Sequence, residues 1–222
     1  MNFLSDSSII CLSCRQRHMP HNIKTSVDNI GICNFCYKKL RPIKNFTPTV
    51  GAGKVKYVVA PFFYNYEMKN IIHRYKFSGE WKISELLSKI IYDQLKDESF
   101  WSEFDLITAI PLSKSRLRSR GYNQSELVAK LLSEKVSIKY ETCVYRRKDT
   151  ASQRLLNRLN RKHNVTNAFV ADKDKVKGKN ILIFDDIYTT GSTMASCANA
   201  LINCGALSVS GLSFAITINR TR

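Results

Sequence analysis

The run Ile181-Leu182-Ile183-Phe184-Asp185-Asp186-Ile187-Tyr188-Thr189-Thr190-Gly191-Ser192-Thr193 restricts the fold of this chain more than any other segment. Four consecutive apolar residues without polar alternation predict a strand covered on both faces, as in a parallel sheet. Two adjacent acids follow at its carboxyl end, where open α/β sheets place their ligands. A glycine and small hydroxyl residues come next and lead into an apolar helical pattern over 194–204. Such a junction cradles anions. The helix N-terminus offers N–H groups, Gly191 lets the backbone approach, and the hydroxyls of Thr189, Thr190, Ser192 and Thr193 donate. Asp185 and Asp186 beside it suit the hydroxyls of a phosphorylated sugar, held directly or through Mg²⁺. An ordinary hydroxyl-capped helix after a strand uses the same residue types without a ligand. A nucleotide P-loop does not fit, because Gly-x4-Gly-Lys-Ser/Thr is missing.

The remaining pattern extends this unit. Strand-like runs fall at 55–65, where Pro61 implies an edge or a bend, and at 105–110, 143–146, 168–171, 180–185 and 207–216. Helical spacing is read over 66–77, 80–96 and 123–134, with Ile83, Leu86, Leu87, Ile90 and Ile91 on one face. Alternating strands and helices predict an α/β fold whose mostly parallel sheet is flanked by helices. At 222 residues the chain has room for one substantial core plus a small appended unit. Residues 41–54, with two prolines and two glycines, read as a linker between an N-terminal module at 1–41 and a domain at 55–222.

Within the first of these, Cys11-Leu12-Ser13-Cys14 and Cys33-Asn34-Phe35-Cys36 form two Cys-x2-Cys pairs separated by 18 residues. That spacing fits a four-thiolate structural zinc site, each pair wrapping one side of a tetrahedral ion. The residues between them hold too few apolar positions for a core, so metal binding supplies folding energy, on the order of 10 kcal/mol. An iron–sulfur cluster accepts the same ligands. A thioredoxin-like Cys-x-x-Cys would need a neighbouring βαβ pattern, which is missing. His18 and His21 read as exposed loop histidines, and Cys143, Cys197 and Cys204 as small buried apolar residues. With neither a signal leader nor an apolar run near the ~20 residues of a membrane span, the expectation is a cytoplasmic protein whose cysteines are thiols or metal ligands.

Charge adds a second constraint. Lys and Arg number 35 against 18 Asp and Glu, a net charge of +17, and residues 111–165 hold 14 of the bases and 4 of the acids. A basic surface concentrated in this way faces polyanions: nucleic acid, anionic lipid or phosphorylated small molecules. Two segments carry it. The first follows a strand and presents Lys114, Arg116, Arg118 and Arg120 as a cationic loop before Gly121 and a helix capped by Asn123. The second, 147–165, contains Arg147, Arg154, Arg158 and Arg161 and is longer than a functionless connection usually is.

Taken in order, Tyr75-Lys76-Phe77-Ser78-Gly79, then Pro111 through Arg120-Gly121-Tyr122-Asn123-Gln124, then Arg147, Thr150, Gln153, Leu156, Arg161, Asn164 and Phe169, then the 181–193 run, the chain resembles the ComF family. The last run by itself is similar to the phosphoribosyl-pyrophosphate (PRPP) motif of type I phosphoribosyltransferases. Ala109, where the family usually has a proline, and Tyr122, in place of Phe, are departures.

The resemblance implies an N-terminal four-cysteine zinc module joined to a type I phosphoribosyltransferase-like domain, and a role in DNA uptake during natural transformation. It assigns ribose hydroxyls to Asp185 and Asp186, and the 5′-phosphate to Thr189, Thr190, Gly191, Ser192 and Thr193, with Mg. Pyrophosphate or DNA phosphate contacts fall to Lys114, Arg116, Arg118, Arg120, Arg147, Arg154, Arg158 and Arg161, the last four on a catalytic lid. Lys76 adds a phosphate contact or is only a cation at a helix C-terminus. Implied partners are PRPP, single-stranded DNA stacked on tyrosines such as Tyr64, Tyr66 and Tyr122, other DNA-uptake proteins and the inner face of an anionic membrane. Whether a transfer reaction occurs, and to what acceptor, stays open. The alternative is a nucleobase-salvage phosphoribosyltransferase, against which the chain ends six residues after its last strand and leaves no C-terminal hood, unless the cysteine module serves as one.

Overall fold

The computed structural model describes residues 8–43, 48–96, 99–147 and 168–217. At the N-terminus, strands β1 (Ile9–Cys11), β2 (Arg17–His18), β3 (Ile23–Val27) and β4 (Ile30–Cys33) form a small sheet in the order β2-β1-β4-β3, followed by helix α1 (Asn34–Lys39). Its fully buried apolar residues, Leu12, Ile32 and Leu40, do not form a core of their own. They merge with the core of the rest of the chain. Asn65 donates to the Lys39 carbonyl at 2.6 Å, the Arg74 guanidinium to the Cys11 carbonyl at 3.3 Å, and Lys82 pairs with Asp28 at 2.9 Å. The module is therefore held by packing as well as by its cysteines, where its sequence pointed to metal alone.

The larger sheet comprises β5 (Thr49–Val50), β6 (Tyr57–Val59), β7 (Phe62–Phe63), β8 (Leu106–Ala109), β11 (Asn180–Tyr188) and β12 (Ser208–Ile216). Its order is β5-β6-β12-β11-β8, with β7 also on β12, and every pairing is parallel except that of β5. β6 and β7 keep one register on β12, Val58 opposite Gly211 and Phe62 opposite Ala215. They are a single strand interrupted at Pro61, which has no N–H to give to a ladder. Within the expected linker, Thr49 and Val50 pair with β6 as an antiparallel edge and Pro42 bridges Phe62. Pro42, Thr49 and Val50 thus belong to the sheet's margin.

Both faces of the sheet are covered, as the unalternated apolar run of β11 requires. Leu182 and Phe184 pack with helices α2 (Tyr66–Phe77), α3 (Ile83–Leu95) and α5 (Gln124–Val136). Ile181 and Ile183, one residue out of phase, pack on the other side with Met194, Cys197, Ala198 and Leu201 of helix α7 (Ser192–Asn203). Cys143 and Cys197 are fully buried and Cys204 partly so. Strands β9 (Val144–Arg146) and β10 (Phe169–Ala171) make a separate antiparallel ribbon beside α7, and the short α6 (Lys173–Val176) leads into β11.

One element differs from its expected form. The cationic loop is helix α4 (Lys114–Arg120), capped by the Ser113 hydroxyl on the Arg116 N–H and closed by Gly121 at φ +78°. No residue of α4 is buried, so periodicity gave no apolar stripe by which to recognise it.

Candidate functional site

The site forms where β8 leaves the sheet before β11 does. Ala109 pairs with Phe184, the Ile110 N–H still reaches the Phe184 carbonyl at 3.0 Å, and the chain then turns away at Pro111. Asp185 and Asp186 come next on β11, beside the vacated edge. In the connection after β8 it is helix α5 that covers one face of the sheet, and the helix after β11 covers the other, which is the topological switch point where such sheets bind ligands. A cleft of about 500 Å³ opens there, lined by Lys76, Ser113, Arg116, Arg120, Arg146, Asp185, Asp186 and Thr193 among others.

Its floor is acidic and its wall basic. Asp186 forms an ion pair with Lys76, each side chain 21% exposed. Asp185 Oδ1 accepts from the Asp186 N–H at 2.9 Å and the Ser125 hydroxyl at 3.4 Å. Burial, and after it the neighbouring Asp186 charge, pushes the Asp185 carboxyl up to about 7, against the opposing pull of those bonds and of Lys76. Arg120 is steadied by Gln124 at 3.2 Å, and Arg146 lies over the Phe169 ring at 5.3 Å.

The hydroxyl-rich loop is shaped by Tyr188 and Gly191. Gly191 caps α7 at φ +73°, and a Cβ there would press into the Tyr188 side chain, 2.7 Å from Cζ. The Tyr188 hydroxyl in turn accepts from the Ala52 N–H at 3.1 Å. Gly191 itself has no side chain to cap α7, the Thr190 hydroxyl accepts only a long 3.5 Å bond from the Ser192 N–H, and Thr189, Thr190, Ser192 and Thr193 are exposed. First-turn N–H groups and several hydroxyls therefore face outward together, as an anion cradle needs.

Sequence reasoning found part of this constellation. The structure brings Lys76, Arg116, Arg120, Asp185, Asp186 and Thr193 into one cleft. Lys114 and Arg147 line an adjoining groove with Thr142 and Tyr145, whereas Arg118, one helical step away, lines neither. Arg154, Arg158 and Arg161 lie outside the described residues. Arg146 was missed, although it follows Val144 at the two-residue spacing of a strand face. Ser125 and Tyr188 carried no signal beyond their places in a helix and a strand. Gly121-Tyr122-Asn123-Gln124 is scaffolding: Asn123 caps α5 and donates to the Ile110 carbonyl at 3.0 Å, and the Gln124 carbonyl accepts from Tyr75 at 2.8 Å. Tyr64 and Tyr122 pack against the core, and exposed Tyr66 does not line the cleft.

In the N-terminal module the Sγ atoms of Cys11, Cys14, Cys33 and Cys36 all lie within 4.8 Å of one another. Four sulfurs about 2.3 Å from a tetrahedral ion stand about 3.8 Å apart, so the set fits one metal ion with small adjustment. Backbone N–H groups already serve the sulfurs: Cys33 donates to Cys11 Sγ and Cys36 to Cys33 Sγ, both at 3.4 Å. Burial opposes ionisation of Cys11, but N–H groups of Cys33, Cys14 and Ser13 outweigh it and lower that thiol below its ordinary range. His18 is not a free loop residue, since its Nε2 sits 3.4 Å from Cys14 Sγ. Among the described residues no helix is long and apolar enough to cross a membrane.

No protein-family profile matches the chain. It is 30% identical over 220 residues to the DNA utilization protein YhgH of Escherichia coli K12, covering 90% of this chain and 93% of that one. The competence protein ComFC of Streptococcus pneumoniae is 33% identical over 150 residues, 68% of this chain and 64% of its own. Competence protein F of Haemophilus influenzae is 31% identical over 141 residues, 61% of this chain and 62% of its own. Among solved structures, the adenine phosphoribosyltransferase of Thermoanaerobacter pseudethanolicus aligns at 16% identity and TM-score 0.37 over 63% of this chain and 82% of its own.

Proposed function

Because the chain belongs to the ComF family of competence and DNA-utilization proteins, we propose that it works in DNA uptake as a binder of PRPP, or a related phosphoribosyl ligand, with Mg and of single-stranded DNA. One observation carries this reading: the acid pair and Thr193, in the first turn of α7, line a single cleft together with Lys76, Arg116, Arg120 and Arg146. A ribose placed on Asp185 and Asp186 offers its hydroxyls to carboxylates while its 5′-phosphate meets the Thr189–Thr193 cradle. Pyrophosphate attached to the same sugar then faces Arg116, Arg120 and Arg146. Lys76 holds Asp186 until a sugar and its metal compete for that carboxylate. The thiolates of Cys11, Cys14, Cys33 and Cys36 hold structural zinc, and Lys114 and the arginines of α4 grip nucleic-acid backbone.

A nucleobase-salvage transferase is the weaker alternative. Its base would need a hood over the cleft, and no described residue of the N-terminal module lines it. Titration calorimetry with Mg and PRPP tests the proposal on wild type and on Asp185→Ala/Asp186→Ala. Binding by the wild type and its loss in the double variant support it; equal heats from both proteins would leave the acid pair a structural feature only. Labelled PRPP incubated with single-stranded DNA, nucleobases and nucleotides reports whether pyrophosphate is released.

A further inference from the structure

Just beyond Lys76 in the chain, two large aromatic side chains face solvent. Phe77 is 64% exposed and Trp81 53% exposed. Phe77 is the last residue of α2, directly after Lys76, the partner of Asp186. Trp81 follows across the tight turn through Gly79, whose φ is +72° and whose carbonyl accepts the Trp81 N–H at 3.1 Å. Cationic and aromatic groups then meet over Phe77. The Arg120 guanidinium, itself part of the cleft wall, lies 5.5 Å from the Phe77 ring centroid, and the His73 ring is 4.7 Å from it.

A single exposed aromatic is ordinary on a protein surface. Phe77 is set apart by its surroundings, since Arg120, which lines the basic cleft and ends the exposed helix α4, lies over its ring, and Trp81 lies four residues on in the chain. A flat π surface next to phosphate-binding cations matches one chemistry, a nucleotide whose base stacks while its phosphates are neutralised. An apolar protein partner would gain nothing from the arginines.

We propose that Phe77 and Trp81, with Arg120, form a stacking ledge for a base of single-stranded DNA, in line with the phosphates held by α4. This rests on the reading of the cleft and α4 as phosphate-binding, but it adds a base-dependent contact that phosphate recognition lacks. Base stacking tolerates any sequence, because every base has a π face. The ledge therefore recognises single strands and not a particular sequence, and excludes duplexes whose bases are already stacked.

Fluorescence anisotropy with a labelled oligothymidylate and an abasic oligonucleotide of equal length provides the test. The wild type binds the base-bearing strand more tightly by roughly 5- to 100-fold, the range that one stacked base supplies. Phe77→Ala collapses that ratio toward one, Trp81→Ala lowers it, and Phe77→Trp restores it. Both side chains are mostly exposed, so these truncations leave the core intact. A wild type that binds both strands equally, or neither, overturns the ledge, as does a Phe77→Ala protein with an unchanged ratio. Failure of the wild type to bind Mg and PRPP in calorimetry would instead count against the sugar-phosphate reading, and the ratio of the two oligonucleotides reports on the ledge separately.

Discussion

Replacing Gly191 by alanine tests whether the hydroxyl-rich loop after β11 is held in the shape described. The glycine sits at φ +73°, and an L-residue held there costs about 1–2 kcal/mol. Its Cβ would also collide with Tyr188, whose hydroxyl accepts the Ala52 N–H at 3.1 Å. Pushing that ring aside breaks the bond, for about 1 kcal/mol more. The sum is about 2–3 kcal/mol, a sizeable part of the 5–15 kcal/mol that typically holds a folded protein. At roughly 2–4 °C per kcal/mol for a chain of this size, the melting temperature should fall by about 4–12 °C in differential scanning calorimetry. Tyr188→Phe, which deletes only the hydroxyl, should cost about 1 kcal/mol and shift the melt by about 2–4 °C. A Gly191→Ala protein melting within about 1 °C of wild type would refute the argument, because neither the strain nor the collision would then exist.

Three further outcomes are expected. Elemental analysis should find about one zinc per chain, and Cys11→Ser should lose it and loosen the N-terminal sheet in hydrogen exchange; iron with visible absorbance would point to a cluster. Because the Asp185 carboxyl is raised to about 7 by burial and then by the Asp186 charge, it stays protonated in the folded protein where the unfolded chain would ionise it. Its contribution to stability is full below about pH 4 and is lost as pH rises through about 7, whereas affinity for Mg and PRPP should rise between about pH 6 and 8; Asp185→Asn should flatten the stability trend, read by denaturant melts. Charge reversal of Arg116, Arg118 and Arg120 should reduce the log–log salt slope of single-stranded DNA binding by about 2, at roughly 0.7 per phosphate contact, and an unchanged slope would place the DNA elsewhere.

The central strand of the larger sheet was legible because both of its faces are covered, so 181–184 reads as an apolar run whatever its neighbours, whereas strands β1–β4 of the N-terminal module went unread. The acid pair was legible because its chemistry is local: strand end, acids and hydroxyl loop are consecutive. What stayed hidden depends on partners distant in sequence. α4 has no buried side, and its basic residues spread over two grooves and open solvent instead of one surface. Arg146 enters the cleft because the ribbon of β9 and β10 lies beside it, and Tyr188 matters because its hydroxyl meets Ala52. Tyr122 was read as a stacking surface, yet it packs against the core, while Phe77 in the neighbouring motif faces solvent.

Helix α2 touches both ends of the molecule within three residues. Arg74 donates to the carbonyl of Cys11, and Lys76 pairs with Asp186 in the cleft. A single turn of helix thus bears on the backbone of the first cysteine and on the acid pair. The N-terminal module, none of whose described residues lines the cleft, in this way steadies the helix that carries the cleft's lysine.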